Sequence, residues 1–283
     1  MDFDQFVRDI EDNNWNVFGV EVYTQGTLTH TWGDTDNLHD IYSATKTILS
    51  VAIGIARDRG LIDIDKCFLD YIPEEYITKK AKETYGTITV RRLMTMSVGG
   101  FPFRPEGEDW LKSTLDIEIE NPEEKSFNYS NISAYLAGAA LQGAIGEDLG
   151  AFIEREIFKP LDITVYEYQR SPEGIFYGAS KMRLSVHDLS KIGIMLTQGG
   201  VYEGKRILSE GYTKEATSVQ QMNEQGGYGF FIWKYREGFS INGKLKQKCY
   251  CLPESGIVIT YLAHIEEETP DLKESMERNI LGL

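Results

Sequence analysis

Apolar positions recur at helical spacing over residues 3–13, an acidic amphipathic segment, and then give way to strand-like runs. Val17-Phe18-Gly19-Val20-Glu21-Val22-Tyr23 and Thr27-Leu28-Thr29-His30-Thr31-Trp32 read as strands joined by the turn Thr24-Gln25-Gly26. From residue 43 to about 165 helical patterning dominates, with breaks at Pro73, Pro102, Pro105 and Pro122. The first helix of that stretch is apolar nearly all round (Ile48, Leu49, Val51, Ala52, Ile53, Ile55, Ala56), which predicts burial on every side. A loop rich in Gly, Pro and acid runs between Gly99 and Glu124, the kind of segment that borders a cleft. Strand patterns return at about 228–235, 238–242, 246–252 and 256–263, before a closing helix near 270–280. Two early strands and several late ones predict an α+β fold, an antiparallel sheet completed by both ends of the chain and flanked by helices.

Composition narrows the function. The chain has 283 residues, long enough for a substantial core, and 41% apolar against 26% charged residues is not a disordered composition. Its net charge of −15, with no basic block, argues against nucleic acid and anionic membranes as partners. The first twelve residues carry no basic and apolar leader pattern, and no run of about 18 apolar residues occurs, so a cytoplasmic protein without an anchor is expected. Cys67, Cys249 and Cys251 are read as free thiols, the last two on opposite faces of a strand. None of the four histidines lies in a ligand-spaced pair, so neither a metal nor a cofactor is expected. His39 reads as a loop residue and His187 is given no chemistry. The absence of a Gly-x-Ser-x-Gly elbow argues against an α/β-hydrolase triad.

Candidate chemistry begins at Ser43 and Lys46. Ser43 is the only serine with a lysine three residues on, a spacing that puts both on one helix face. A hydroxyl becomes a useful nucleophile when a base takes its proton, and a lysine can be that base once burial leaves it neutral. The apolar helix that follows supplies the burial. It also places the Ser43 amide at a helix N-terminus, suited to an oxyanion.

A second cluster, Tyr129-Ser130-Asn131, opens another apolar helix. With Ser43-x-x-Lys46 upstream, the chain resembles the penicillin-recognising serine hydrolases, in their class C β-lactamase-like branch. That branch includes D,D-peptidases, carboxylesterases and amide hydrolases. The likeness extends, in order, through Ile88-Thr89-Val90-Arg91-Arg92-Leu93, Phe158-Lys159-Pro160-Leu161, Met182-Arg183-Leu184-Ser185 and Gly227-Tyr228-Gly229-Phe230, covering roughly residues 15 to 265. It implies an α/β lobe of residues 1–42 and 166–283, a mostly helical lobe of 43–165, and a site at their junction. It further implies that Ser43 forms an acyl-enzyme, Lys46 accepts its proton, Tyr129 shuttles protons and Asn131 orients Lys46 and the substrate. Tyr129 is expected to have its pKa lowered by the Lys46 ammonium.

The third motif departs from this pattern. Relatives carry Lys-Thr-Gly or His-x-Gly on the strand bordering the pocket, whereas here the stretch reads Ile241-Asn242-Gly243-Lys244-Leu245-Lys246. Aligning Ile241-Asn242-Gly243 keeps the glycine and loses the cation; aligning Lys244-Leu245-Lys246 does the reverse. The first is preferred, with Asn242 and Gly243 beside substrate and Lys244 offering an oxyanion N–H. The competing reading is a solvated hairpin tip at Asn242-Gly243. The expected protein is a cofactor-free serine esterase or amidase acting on a small ester, amide or peptide. The alternatives are a D,D-peptidase or β-lactamase, and a non-catalytic acyl or peptide sensor on the same scaffold. The oligomeric state stays open.

Overall fold

The computed structural model describes residues 1–266 and 271–283. Six strands form one antiparallel sheet: β1 (Val17–Thr24), β2 (Thr27–Gly33), β3 (Trp233–Tyr235), β4 (Gly238–Gly243), β5 (Gln247–Leu252) and β6 (Ile257–Ala263). Their spatial order is β2-β1-β6-β5-β4-β3. Early and late strands meet in its middle, where Val20 pairs with Tyr261 and Val22 with Ile259. The helices that frame sheet and site are α1 (Phe3–Asp12), α2 (Thr45–Asp58), α3 (Asn131–Ile145), α4 (Val186–Thr197) and α5 (Asp271–Met276). The architecture is α+β, as the pattern predicts.

Each face of the sheet is covered, which is why β1 is buried on both its alternating sides. On the outer face Phe6 and Ile10 of α1, with Leu272 and Met276 of α5, pack over Val20, Val22, Ile259 and Tyr261. On the inner face α4 lies against β5 and β6 through Gly193, where a Cβ would stand 2.4 Å from Cys249 Sγ. Every residue of α2 from Thr45 to Ala56 is buried, and each large aliphatic side chain so buried contributes about 1.5–3 kcal/mol. Local signals set the helix ends. Asp2 accepts from Gln5 N at the start of α1 and Ser185 from Asp188 N at the start of α4. Ser130 accepts from Ile132 N at the start of α3, which stops at Gly146 in the left-handed region (φ 67°).

Three expectations are corrected. The strand expected over 228–235 is regular only at Trp233–Tyr235. Before it Phe231 turns left-handed (φ 56°), its N–H bonds Met94 O, and its carbonyl accepts from Thr47 Oγ1 of α2 at 3.1 Å. Tertiary bonds to the helical region replace ladder bonds there. Cys249 and Cys251 share a face, as residues two apart on a strand must; their Sγ atoms lie 3.7 Å apart in the core. Asn242-Gly243 is no hairpin tip: Asn242 pairs with Lys248 and Gly243 with Gln247, and the turn falls at Lys244–Lys246, with Leu245 and Lys246 left-handed. The closing helix starts at Asp271 and continues to Leu281, its last turn widened to π-type; residue 270 lies outside the described residues. Among the described residues no helix is long and apolar enough to cross a membrane.

Candidate active site

Ser43 sits in the short helical turn Tyr42–Ala44 that runs directly into α2. N–H groups in a first turn have no intrahelical acceptor and are available to a ligand. Tyr42, immediately before the serine, has φ 47°. A non-glycine residue held there costs on the order of 1–3 kcal/mol, the kind of strain that collects at functional sites.

Lys46, one turn on, is 1% exposed. Its Nζ lies 3.0 Å from Ser43 Oγ, 2.7 Å from Asn131 Oδ1 and 2.7 Å from the carbonyl of Ala179. Burial pushes its pKa down from 10.5 to about 7. A neutral amine has two N–H bonds and one lone pair. Here Asn131 Oδ1 and Ala179 O accept the two N–H bonds, and the lone pair is left facing the Ser43 hydroxyl. The sequence pattern brings Ser43, Lys46 and Asn131 together in this one network.

Asn131 is itself fixed. Its N–H donates to Phe103 O at 2.7 Å and its side chain is hydrogen-bonded with Tyr177. Ser130 Oγ donates to Pro102 O, and the Asn128 side chain donates to Val98 O and Phe101 O. The Gly- and Pro-rich loop after Gly99 is thus tied to the Tyr129–Asn131 segment at the edge of the site.

Tyr129 differs from expectation in its electrostatics. Burial raises its pKa to about 12, an effect only partly offset by a hydrogen bond with Ser43. Lys46 Nζ stands over the ring, 5.0 Å from its centroid, and burial outweighs any acidifying effect of that position. Tyr129 is therefore a protonated phenol at neutral pH, a proton donor before it is a base. Its ring belongs to an aromatic wall: Tyr228 lies 6.2 Å and Trp233 5.5 Å away, and Phe127 packs edge-on against both of these.

Strand β4 closes the remaining side. A Cβ at Gly243 would sit 2.2 Å from the carbonyl oxygen of Ile41. The glycine is thus required by the backbone two residues before Ser43, whereas the sequence reading placed it beside substrate. β3 pairs only with Gly238–Ser240, so Ile241–Gly243 extend beyond it as open edge. Ile241 points into the core, fully buried, and supplies no cation. Asn242 turns to the outer face of the sheet, where its side chain lines a separate cavity, and Lys244 is exposed. Among the described residues no group of three or more His, Cys, Asp or Glu side chains is placed to hold a metal ion. His187 pairs with the buried Glu21 at 3.1 Å, with Tyr23 completing the cluster.

The sequence model of the beta-lactamase family matches residues 10–281. The chain belongs to the beta-lactamase family. No curated protein sequence matches it, but solved beta-lactamase-like structures superpose over nearly its whole length. A family VIII carboxylesterase is 16% identical, with 99% of this chain and 96% of that one covered and a TM-score of 0.78. A penicillin-binding protein homologue from Caulobacter crescentus is 15% identical, with the same coverages and TM-score. A β-lactamase from Sulfitobacter sp. EE-36 is 14% identical, again with 99% and 96% covered and a TM-score of 0.78. At such identities the likeness shows the fold.

Within this family fold, sequence reasoning missed Ala179 O, Tyr177, Phe127 and Trp233. A backbone acceptor leaves no side-chain signal, though Gly178 hints at one: a Cβ there would lie 2.7 Å from Leu49 Cδ2 of α2. Its absence lets residues 177–179 approach Lys46. Two expected results follow. Gly243→Ala forces Ile41 aside, costs about 1–3 kcal/mol of stability and lowers kcat, because the displaced segment leads into Ser43; thermal unfolding and ester turnover measure both. kcat/KM for an ester rises with pH through about 7 as Lys46 loses its proton, then levels off. A profile that falls through pH 7 would assign the lysine the opposite role.

Proposed function

We propose that the protein is a serine hydrolase that forms an acyl-enzyme on Ser43 and hydrolyses a small ester or amide. The observation that carries this reading is the buried Lys46 amine, 3.0 Å from Ser43 Oγ with its other two contacts taken by carbonyl oxygens. Ser43 Oγ attacks the substrate carbonyl carbon as its proton passes to Lys46 Nζ. The N–H groups of Ser43 and of Lys244, at the strand end abutting Ile41, receive the oxyanion; loss of one such donor costs about 2.7–4 kcal/mol. Collapse expels the alcohol or amine, protonated through Tyr129 and re-supplied from Lys46. Water then attacks the acyl group, gives a proton to the same relay, and frees Ser43. Asn131 holds Lys46 in place and offers its amide to the substrate. The open edge at Ile241–Gly243 can pair with an extended acyl or peptide backbone, and the wall of Phe127, Tyr228 and Trp233 suits an apolar group.

The substrate preference follows from Ile241. With an aliphatic side chain in place of the relatives' cation, a β-lactam carboxylate lacks a charge-assisted bond worth about 1.5–3 kcal/mol, or one to two decades in rate. A short-chain p-nitrophenyl ester is therefore turned over with a higher kcat/KM than nitrocefin. Comparing the two on the same preparation, with intact-mass detection of the acyl adduct, tests this. Nitrocefin turnover equal to or above that of the ester would favour the β-lactamase or D,D-peptidase reading instead.

A further inference from the structure

Glu173 lies on the segment that leads to Ala179, whose carbonyl meets Lys46. Its oxygens accept from the first-turn amides of the short helix Trp110–Leu115: Oε2 from Trp110 N and Oε1 from Leu111 N, both at 3.2 Å. Tyr135 OH of α3 donates to Oε1 as well. First-turn amides need an acceptor from outside their own helix, and a carboxylate is a strong one. Burial, with Asp109 nearby, raises the Glu173 pKa above its ordinary value, and the two backbone donors act against that rise.

The helix held in this way belongs to the loop that borders the serine site. Two further ties fix that loop. Phe103 O accepts from Asn131 N at 2.7 Å, and Arg92 donates to Pro122 O and Glu124 O, each at 2.7 Å. Seated by Glu173, the Trp110 indole packs edge-on against Tyr135, with 5.9 Å between centroids, and against Tyr177, with 5.0 Å. Tyr177 is buried and hydrogen-bonded with the Asn131 side chain. Asn131 Oδ1 in turn accepts from Lys46 Nζ at 2.7 Å. Contacts thus run unbroken from Glu173 through Trp110, Tyr177 and Asn131 to Lys46. Because Glu173, Tyr177 and Ala179 lie on one segment, the same anchor also sets the second acceptor of the amine.

We infer that Glu173 is a positioning residue for the serine site: it clamps the helix Trp110–Leu115 so that Trp110 and Tyr177 hold Asn131 in place and keep water from Lys46. The inference rests on the reading of Lys46 as the base for Ser43. The titratable groups facing Lys46 are Tyr129 and, through Asn131, Tyr177. Burial raises both phenols, so neither changes charge near pH 7. Arg104 is the charged group that acts on Tyr177, and Asp109 the one that acts on Glu173.

NMR titration of the full chain carrying isotope-labelled lysine ε-methylene groups, with the Lys46 signal assigned by Lys46→Met, reads the amine without turnover. The unmodified protein should titrate at about 7. Glu173→Ala should move that midpoint up to about 8 or beyond as water reaches the amine, and hydrogen exchange at the Trp110 and Leu111 amides should accelerate. Tyr177→Phe, which keeps the ring packing, should raise the midpoint with those amides still protected. Loss of a negative charge alone would move the midpoint down, and a structural role alone would lower the melting temperature and leave the midpoint in place. Either result in folded Glu173→Ala would overturn the inference, as would an unmoved midpoint in Tyr177→Phe. If Glu173→Ala fails to fold by circular dichroism, Glu173→Gln, which keeps one acceptor oxygen, decides by a smaller rise. A midpoint near 10 in the unmodified protein is a different failure: it would overturn the reading of Lys46 as a base, and this inference with it.

Discussion

Ser43→Ala lowers ester turnover by on the order of 10⁴–10⁶-fold and abolishes the acyl adduct in intact-mass spectra, while the melting temperature stays close to that of the unmodified protein. The magnitude follows from removing the atom that, on the proposed mechanism, forms the covalent bond. The hydroxyl is half-buried and contributes no core packing, so stability is spared. Its removal also leaves Lys46 with Asn131 Oδ1 and Ala179 O, two acceptors for the two N–H bonds of a neutral amine. A fluorophosphonate probe that labelled the alanine variant at an unchanged rate would place the nucleophile elsewhere.

The second large effect comes from Lys46 and Tyr129 together. Lys46→Met and Tyr129→Phe should each lower kcat by about 10²–10⁴-fold, and the double variant should be little worse than the poorer single one. The two side chains converge on one oxygen: Lys46 Nζ is 3.0 Å from Ser43 Oγ, and Tyr129 is hydrogen-bonded with the same residue. On the proposed mechanism they relay one proton in sequence, so removing either breaks the path. Losses that add in log rate would show two independent paths. Methionine is the informative replacement because it keeps the volume of a buried side chain without leaving an unpaired cation.

Much of this site was legible in the sequence because its chemistry rides on local spacing. Ser43 and Lys46 share a helix face by periodicity alone, and the all-round apolar helix announced that the lysine would be dry. The sheet was legible for a similar reason, since alternating runs at both ends of the chain need each other's hydrogen bonds. What escaped was set by packing between distant segments. Tyr129 was expected to be acidified by an ammonium, but the same burial that neutralises Lys46 raises the phenol. Gly243 was assigned to substrate, yet its missing side chain makes room for Ile41 O. The irregular stretch before β3 reads as strand in composition and is held out of the ladder by bonds to Met94 and Thr47. The cysteine pair was misplaced by a mistaken parity; residues two apart point the same way.

The order of the strands has a consequence for when this chemistry comes into being. β1 cannot complete its pairing until β6, at residues 257–263, has been made, and pairings so distant in sequence are slow to form. Ser43 and Lys46 leave the ribosome early, on a helix that has no water-facing side to offer. Until Asn131, Ala179 and the late strand that abuts Ile41 have closed around α2, Lys46 is a solvated ammonium with an ordinary pKa near 10.4, and its neighbour an ordinary alcohol. On the proposed mechanism, acylating power is thus withheld from nascent and partly folded chains. In refolding experiments, covalent labelling of Ser43 should lag behind the recovery of helix and coincide with closure of the sheet, so that the nucleophile itself serves as a clock for the last long-range contact.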